Sequence, residues 1–183
     1  MRLKGKKVAI LVEEGFEDLE FWVPLMRLQE EGASVTVVGL EAGRVVRSKS
    51  GGLTAKADVA ADQVSAADFD AVVVPGGWAP DKLRRSEAVL RLVREAYHQG
   101  KIVAMICHGG QVGISAGIVR GHRATGSLGI KDDLINAGAI WVDAPAFREG
   151  NLVWGRVVPD IPDFCRELVA ALVGEPAAQP ATR

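Results

Sequence analysis

Cys107 has the sequence surroundings of a reactive thiol. It follows the apolar run 101–106 and precedes His108, two glycines and a helical pattern, so it stands where a buried strand gives way to a helix. The positive end of a helix dipole favours a thiolate, and such a position can lower the pKa of a cysteine from about 8.5 to roughly 3.5–7.5. The position also suits a small buried apolar side chain, which is a common role for free cysteine. From spacing alone, a nucleophile and a packing residue both remain open.

Two glutamates form the second candidate group. Glu17 and Glu20 are three residues apart, so a helix would place them on the same face. The helix dipole also favours acids in a first turn, which offers both a purely structural role. Pro24 lies four residues after Glu20 and removes the donor that the Glu20 carbonyl would use, so we expect a kink there. We therefore predict that the Glu20 side chain tips inward, and an exposed Glu20 carboxylate would contradict this.

Short apolar runs alternate with helical patterns along the chain. The runs are continuously apolar, as expected for strands that helices cover on both faces of a parallel sheet. The predicted strands are 7–12, 34–39, 70–74 and 101–106, and the predicted helices are 17–31, 86–99, 109–119, 130–136 and 160–173. The sequence predicts a single α/β domain over 1–173 with a doubly wound, mostly parallel sheet in a three-layer, flavodoxin-like sandwich. Small β-hairpins are predicted at 43–57 and 144–154, and a frayed tail at 174–183.

This topology would collect the candidate residues at one edge of the sheet. In such sheets, ligands bind outside the carboxyl ends of the strands. The loops expected to meet there are 13–20, 75–81, 107–108 and 125–127. The backbone N–H groups of Gly77 and His108 lie in two of these loops, and they are the expected donors of an oxyanion hole.

Composition and missing motifs exclude several other classes. The chain has 183 residues and a net charge of −1, without the basic stripe of a nucleic-acid-binding protein. No apolar stretch reaches the ~18 residues of a membrane span. Cys107 and Cys165 form neither a disulfide framework nor a metal-ligand pair, which suits a reducing cytosol, so we expect a cytoplasmic protein.

Other enzymes and domains of similar topology also fit poorly. No glycine-rich nucleotide-binding motif is present. A response regulator needs an aspartate at the end of its third strand, where this chain has the segment 75–77, Pro-Gly-Gly. A glutamine amidotransferase needs a distant His-x-Glu, and the only histidines from Cys107 onward are His108 and His122.

Taken together, the motifs resemble the ThiJ/PfpI superfamily, which has a class I glutamine-amidotransferase-like fold, and they resemble its intracellular protease I branch most. The resemblance extends from Lys7 to about Val173. The motifs that carry it are 15–20 with Pro24, 74–80, 106–109, 129–133 and 136–138.

The resemblance implies a role for several residues. Cys107 would be a nucleophile at a strained strand-to-helix elbow. Glu20 matches the acid that hydrogen-bonds this sulfur, and Glu17 matches a second acid that lines the pocket. His108 matches the histidine paired with the cysteine. Asp81 stands where the branch has a glutamate that reaches the histidine of a neighbouring subunit, which implies a homo-oligomer, either a dimer or a higher ring.

The chain departs from the family pattern at three places. Gly110 replaces the proline that follows Cys-His-Gly. Ser127 and Leu128 replace a pocket tyrosine and proline, and this change leaves the substrate open. Of the Ser-Arg pair after the final hairpin, only Arg156 is retained.

The chemistry implied is a cofactor-free attack of a thiolate on a carbonyl carbon. The substrate would be a small aldehyde or a peptide, handled by a stress-related cysteine enzyme of peptidase or amidase, glyoxalase or deglycase type. With an aldehyde, Cys107 would form a hemithioacetal, and a partly protonated Glu20 would move a proton between carbons. The alternative is a non-enzymatic oxidative-stress sensor or chaperone that uses an oxidisable Cys107.

Overall fold

The computed structural model describes residues 1–178 and is built around a seven-stranded sheet. The strands are β1 Lys7–Leu11, β2 Ser34–Gly39, β3 Val45–Arg47, β4 Thr54–Lys56, β5 Val59–Ala60, β6 Ala71–Val74, β7 Ile102–Ile106, β8 Arg123–Ala124, β9 Ile140–Trp141, β10 Ala146–Glu149 and β11 Leu152–Gly155. The helices are α1 Asp18–Glu30, α2 Ala79–Leu83, α3 Glu87–His98, α4 Gly110–Ala116, α5 Lys131–Asn136 and α6 Ile161–Val173, and several single 3₁₀ turns join them.

The main sheet is parallel except at one edge. Its strand order is β10-β11-β7-β6-β1-β2-β5, and only the β10–β11 pair is antiparallel. β6 at its centre is buried along its whole length, as expected for a strand covered on both faces. α1 packs against α6, and α3 packs against α4. The prediction of a doubly wound, mostly parallel α/β fold is confirmed.

Most element boundaries agree with the predictions to within a residue or two. The predicted helix 109–119 is too long, since α4 ends at Ala116. Gly117 follows with φ 75°, a left-handed conformation that terminates a helix and that glycine adopts without strain. The short elements β5, β8, β9 and α2 were not predicted, because runs of two to five residues carry too little periodicity to be recognised.

The two predicted hairpins have different places in the fold. β3 and β4 form an antiparallel pair separate from the main sheet. β10 and β11 also pair antiparallel, but β11 lies beside β7 and extends the main sheet. The hairpin predicted at 144–154 is confirmed, and the structure adds that it extends the main sheet. The sequence could not show this, because pairing between β11 and β7 joins segments about 50 residues apart.

The predicted tail begins with residues that contact the domain. The N–H of Glu175 donates to the carbonyl of Ala170 at 3.0 Å, and its own carbonyl accepts from Arg148. Its carboxylate pairs with Arg2. The rest of the predicted tail, residues 179–183, lies outside the described residues. Within residues 1–178, no helix is long and apolar enough to cross a bilayer.

Candidate active site

Cys107 has a strained backbone. With φ 59°, it is the single non-glycine residue of the described chain in the left-handed region, which costs an L-residue about 1–2 kcal/mol. It begins the 3₁₀ turn that joins β7 to α4. Its carbonyl accepts from the Ser127 N–H at 3.3 Å, and a Cβ on Gly126 would come within 2.7 Å of that oxygen. The strand-to-helix elbow is thus fixed by the neighbouring loop.

Glu20 is completely buried on α1 and points inward, as Pro24 led us to expect. Oε1 accepts from the Gly76 N–H at 3.2 Å, while Oε2 has no hydrogen-bond partner among the described atoms. Burial, and then the charge of Glu17, raise the pKa of Glu20 to about 8. The Glu20 carboxyl interacts with the thiol of Cys107. At neutral pH, Glu20 is therefore mostly a neutral acid held against the sulfur.

Glu17 has both of the roles that the sequence left open. It is the N-cap of α1, and its Oε2 accepts from the N–H groups of Leu19 and Glu20, both at 2.8 Å. It also lines the cavity in front of Cys107. Its carboxylate is thus held at the mouth of the site by the helix N-terminus.

The thiol of Cys107 is less acidic than we expected. Burial, together with the nearby Glu20 carboxyl, raises its pKa to about 12. The N–H of His108 and the hydroxyl of Ser127 act in the opposite direction but do not compensate. The predicted lowering of this pKa is not found, because burial and the Glu20 carboxyl outweigh the two groups that act to lower it. The resting sulfur is a thiol.

His108 can accept the proton that this thiol must lose. Its Nδ1 lies 3.5 Å from the sulfur of Cys107. Burial, and then the positive charge of Lys49, lower the pKa of His108. The imidazole is therefore neutral at neutral pH, and in one tautomer its Nδ1 is a free acceptor.

Gly77, a predicted oxyanion donor, borders the cavity in front of Cys107. It has φ 81°, and a Cβ there would come within 2.5 Å of the Glu17 nitrogen, so only glycine fits. The next residue, Trp78, donates its N–H to the carbonyl of Gly15 at 2.8 Å, which ties this loop to the loop before α1. The N–H of Gly77 itself donates to no group in the described part of the chain. Gly77 and His108 both border the cavity.

The cavity in front of Cys107 has a volume of about 320 Å³. It is lined by Glu17, Lys49, Gly77, Trp78, Cys107, His108, Ser127 and the segment 157–159. Sequence reasoning missed Lys49 and the segment 157–159 as site residues. Trp78 lines the cavity and is 59% exposed.

Two predicted supporting residues lie outside this cavity. Asp81 is exposed on α2 and pairs with Arg85. Arg156 binds Asp160 through Nε at 2.8 Å and Asp143 through Nη1 at 2.8 Å. It lines a neighbouring pocket that shares only Val157 with the cavity of Cys107. Within one chain, the structure therefore brings together Cys107, His108, Glu20, Glu17 and Gly77, but not Asp81 or Arg156.

Comparison with known proteins places the chain in a family. The model of the DJ-1/PfpI family matches residues 6–171. Deglycase PH1704 from Pyrococcus horikoshii is 43% identical over 166 residues, which are 91% of this chain and 99% of that protein. Protein/nucleic acid deglycase 2 from Escherichia coli is 37% identical over 169 residues, which are 92% of this chain and 98% of that protein.

A solved structure has the same fold. It is a two-domain protein from Anabaena variabilis with DJ-1/ThiJ/PfpI-like and ferritin-like domains, and it superposes with a TM-score of 0.89 at 41% sequence identity. The match covers 96% of this chain and 50% of that one.

Proposed function

The chain belongs to the DJ-1/PfpI family, and on this premise we propose that it is a cofactor-independent cysteine enzyme acting on 2-oxoaldehydes. The observation that carries the proposal is the elbow at Cys107. A strained backbone persists only where the surrounding structure imposes it, and such strain is concentrated at functional sites. Here it holds the thiol against Glu20 and His108, at a cavity of the right size for a small aldehyde.

The first step would be addition of the thiol to the aldehyde carbon. The S–C bond forms as the thiol proton passes to Nδ1 of His108, and the carbonyl oxygen becomes an oxyanion. The N–H groups of Gly77 and His108 would stabilise that charge. The oxygen then takes the proton from His108, and the product is a neutral hemithioacetal.

The second step would be a proton transfer between carbons. The ionised form of Glu20 removes the proton from the former aldehyde carbon and returns it to the adjacent carbon, while the hydroxyl proton on the former aldehyde carbon passes to the ketone oxygen. The adjacent carbon becomes a secondary alcohol, and the former aldehyde carbon becomes the carbonyl of a thioester. The resulting thioester is hydrolysed by water, which releases a 2-hydroxy carboxylate and restores the thiol. The net reaction consumes one 2-oxoaldehyde and one water.

The close relatives named deglycases support the same chemistry. An amine and a 2-oxoaldehyde form a carbinolamine at the aldehyde carbon. When its C–N bond breaks, the amine leaves with the hydroxyl proton and the aldehyde that Cys107 would attack is restored. Both routes give the same hydroxy acid. An assay must therefore supply the free aldehyde and the adduct as separate substrates to tell the two routes apart. A peptidase would use the same groups, with an amide carbonyl in place of the aldehyde.

The test is formation of lactate from methylglyoxal by the purified protein. We expect turnover by the wild type, loss of turnover in Cys107→Ala and Glu20→Gln, and little change in Cys165→Ala, which removes the other cysteine. Fluorogenic peptides and a preformed methylglyoxal adduct of N-acetyl-cysteine or N-acetyl-lysine separate the three substrate types. Absence of any turnover, together with stoichiometric oxidation of Cys107 by mild peroxide, would instead favour the sensor.

We also propose that a second copy of the chain completes the site. Asp81 is 56% exposed at its side chain and does not reach His108 within one chain. Leu128, beside the cavity, is 76% exposed, as expected for apolar surface that a second copy covers. Cys107→Ala and Asp81→Ala protomers, inactive or weak alone, should regain activity when they are mixed and allowed to exchange subunits. If the mixture remains the average of its components, Asp81 does not act across an interface.

A further inference from the structure

Lys49 brings an unpaired positive charge to the cavity. It is exposed between β3 and β4, and its Nζ lies 5.8 Å from the ring centroid of Trp78. None of the ion pairs formed by residues 1–178 includes it. Its charge acts on the reacting groups, since it helps to lower the pKa of His108 and opposes the rise in the pKa of Glu20. The catalytic scheme above does not use this residue.

The backbone of Lys49 is fixed by the start of α1. Its N–H donates to the Phe16 carbonyl at 2.7 Å. Asp18 accepts from the Ser48 hydroxyl at 2.7 Å and from the Ser50 N–H at 3.1 Å, so it binds the residues on both sides of Lys49. These bonds lower the pKa of Asp18 and keep it ionised. The hairpin is thus attached to the same helix that carries Glu20. The backbone position from which the Lys49 side chain extends is therefore fixed.

Among residues 1–178, Lys49 is also the single cation that lines the cavity near neutral pH. His108 is neutral because its pKa is lowered, and Glu20 is mostly protonated because its pKa is raised to about 8. The carboxylate of Glu17 is occupied by two N–H groups of α1. One lysine without an acidic partner matches a group of one negative charge, such as a carboxylate.

We propose that Lys49 is a specificity residue that binds a carboxylate carried by the same substrate as the carbonyl that Cys107 attacks. The inference rests on the proposed function for its substrate class, which is 2-oxoaldehydes with an anionic tail. A suitable probe is 4,5-dioxopentanoate, which would give 2-hydroxyglutarate, and methylglyoxal is its neutral counterpart. Asp18 is then a positioning residue, since it acts through the hairpin.

The first test needs no turnover. Iodoacetate and iodoacetamide both alkylate a thiol with release of iodide, and they differ by one negative charge. The ratio of their rates at Cys107, followed by mass spectrometry at pH 7.5, measures the preference of the site for an anion. We expect Lys49→Gln to lower this ratio about 2- to 10-fold, and Lys49→Arg to retain most of it. Lys56→Gln, on β4 of the same hairpin and outside the cavity, is the matched control and should have no effect.

The second test is selectivity in turnover. In Lys49→Gln, the kcat/KM for 4,5-dioxopentanoate relative to that for methylglyoxal should fall by a similar factor. High salt should lower the selectivity of the wild type towards that of the variant. An unchanged alkylation ratio, or equal losses on charged and neutral reagents, would overturn the role of Lys49. Suppose that the wild type turns over no aldehyde while the alkylation ratio is lowered in Lys49→Gln and not in Lys56→Gln. In that case the proposed function fails and the anion site stands.

Discussion

Replacing Glu20 by glutamine should make the stability of the protein less sensitive to alkaline pH. The carboxyl has an ordinary pKa of 4.5 and a pKa of about 8 in the folded chain. A group with a raised pKa binds its proton more tightly in the folded state. Its stabilising contribution is therefore complete below pH 4.5, and it is lost as the pH rises through 8. Glutamine cannot ionise, and its side-chain oxygen can still accept from the N–H of Gly76.

The size of the effect follows from the shift in pKa. Each pH unit between 4.5 and 8 costs the wild type about 1.4 kcal/mol relative to a group that does not titrate. The full difference approaches about 5 kcal/mol at pH 8. Coupling to Cys107 and partial hydration reduce this, so we expect a gain of about 2–4 kcal/mol for Glu20→Gln at pH 8 relative to pH 5.

The assay is equilibrium unfolding in urea at pH 5, 6, 7 and 8, at one protein concentration. The difference in unfolding free energy between wild type and Glu20→Gln should grow in favour of the variant with each step. Other titrating groups affect both proteins equally and cancel. Glu95→Gln, at an exposed position of α3, is the control and should show no such trend. A difference that stays constant within about 0.5 kcal/mol from pH 5 to 8 would mean that burial does not hold Glu20 in its neutral form.

Further predictions test the elbow and the hairpin. Gly76→Ala should cost about 1–3 kcal/mol of stability and most of the activity, because a Cβ there meets Glu20 and comes within 2.9 Å of Cys107; unfolding and lactate assays check this. The free energy of unfolding of Cys107→Gly should be about 1 kcal/mol higher than that of Cys107→Ala, because glycine tolerates the left-handed backbone. The reverse order would contradict strain at the elbow. Asp18→Ala should lose about 1 kcal/mol and part of the iodoacetate preference, whereas Asp18→Asn should keep more of both.

The central strands and the nucleophile's position were predictable from short-range patterns. Continuous apolar runs such as 70–74 can be satisfied only by burial on both faces, and the break in pattern at Cys107 marks a strand end. Glu20 was also predicted from local sequence to point inward, and it is completely buried. Each of these conclusions depends on residues within one turn or one strand of each other.

The sequence by itself therefore determined the parallel sheet, the edge at which its loops meet, and the residue types delivered there. Only the tertiary structure decided how those groups behave. The thiol of Cys107 has a raised pKa because burial and Glu20 act on it together, and local sequence reports only the opposing helix dipole. Lys49 reaches the same cavity because Asp18 binds a hairpin 30 residues further along the chain. Hydration and charge depend on every group within a few ångströms, and chain folding sets those neighbours irrespective of their separation in sequence.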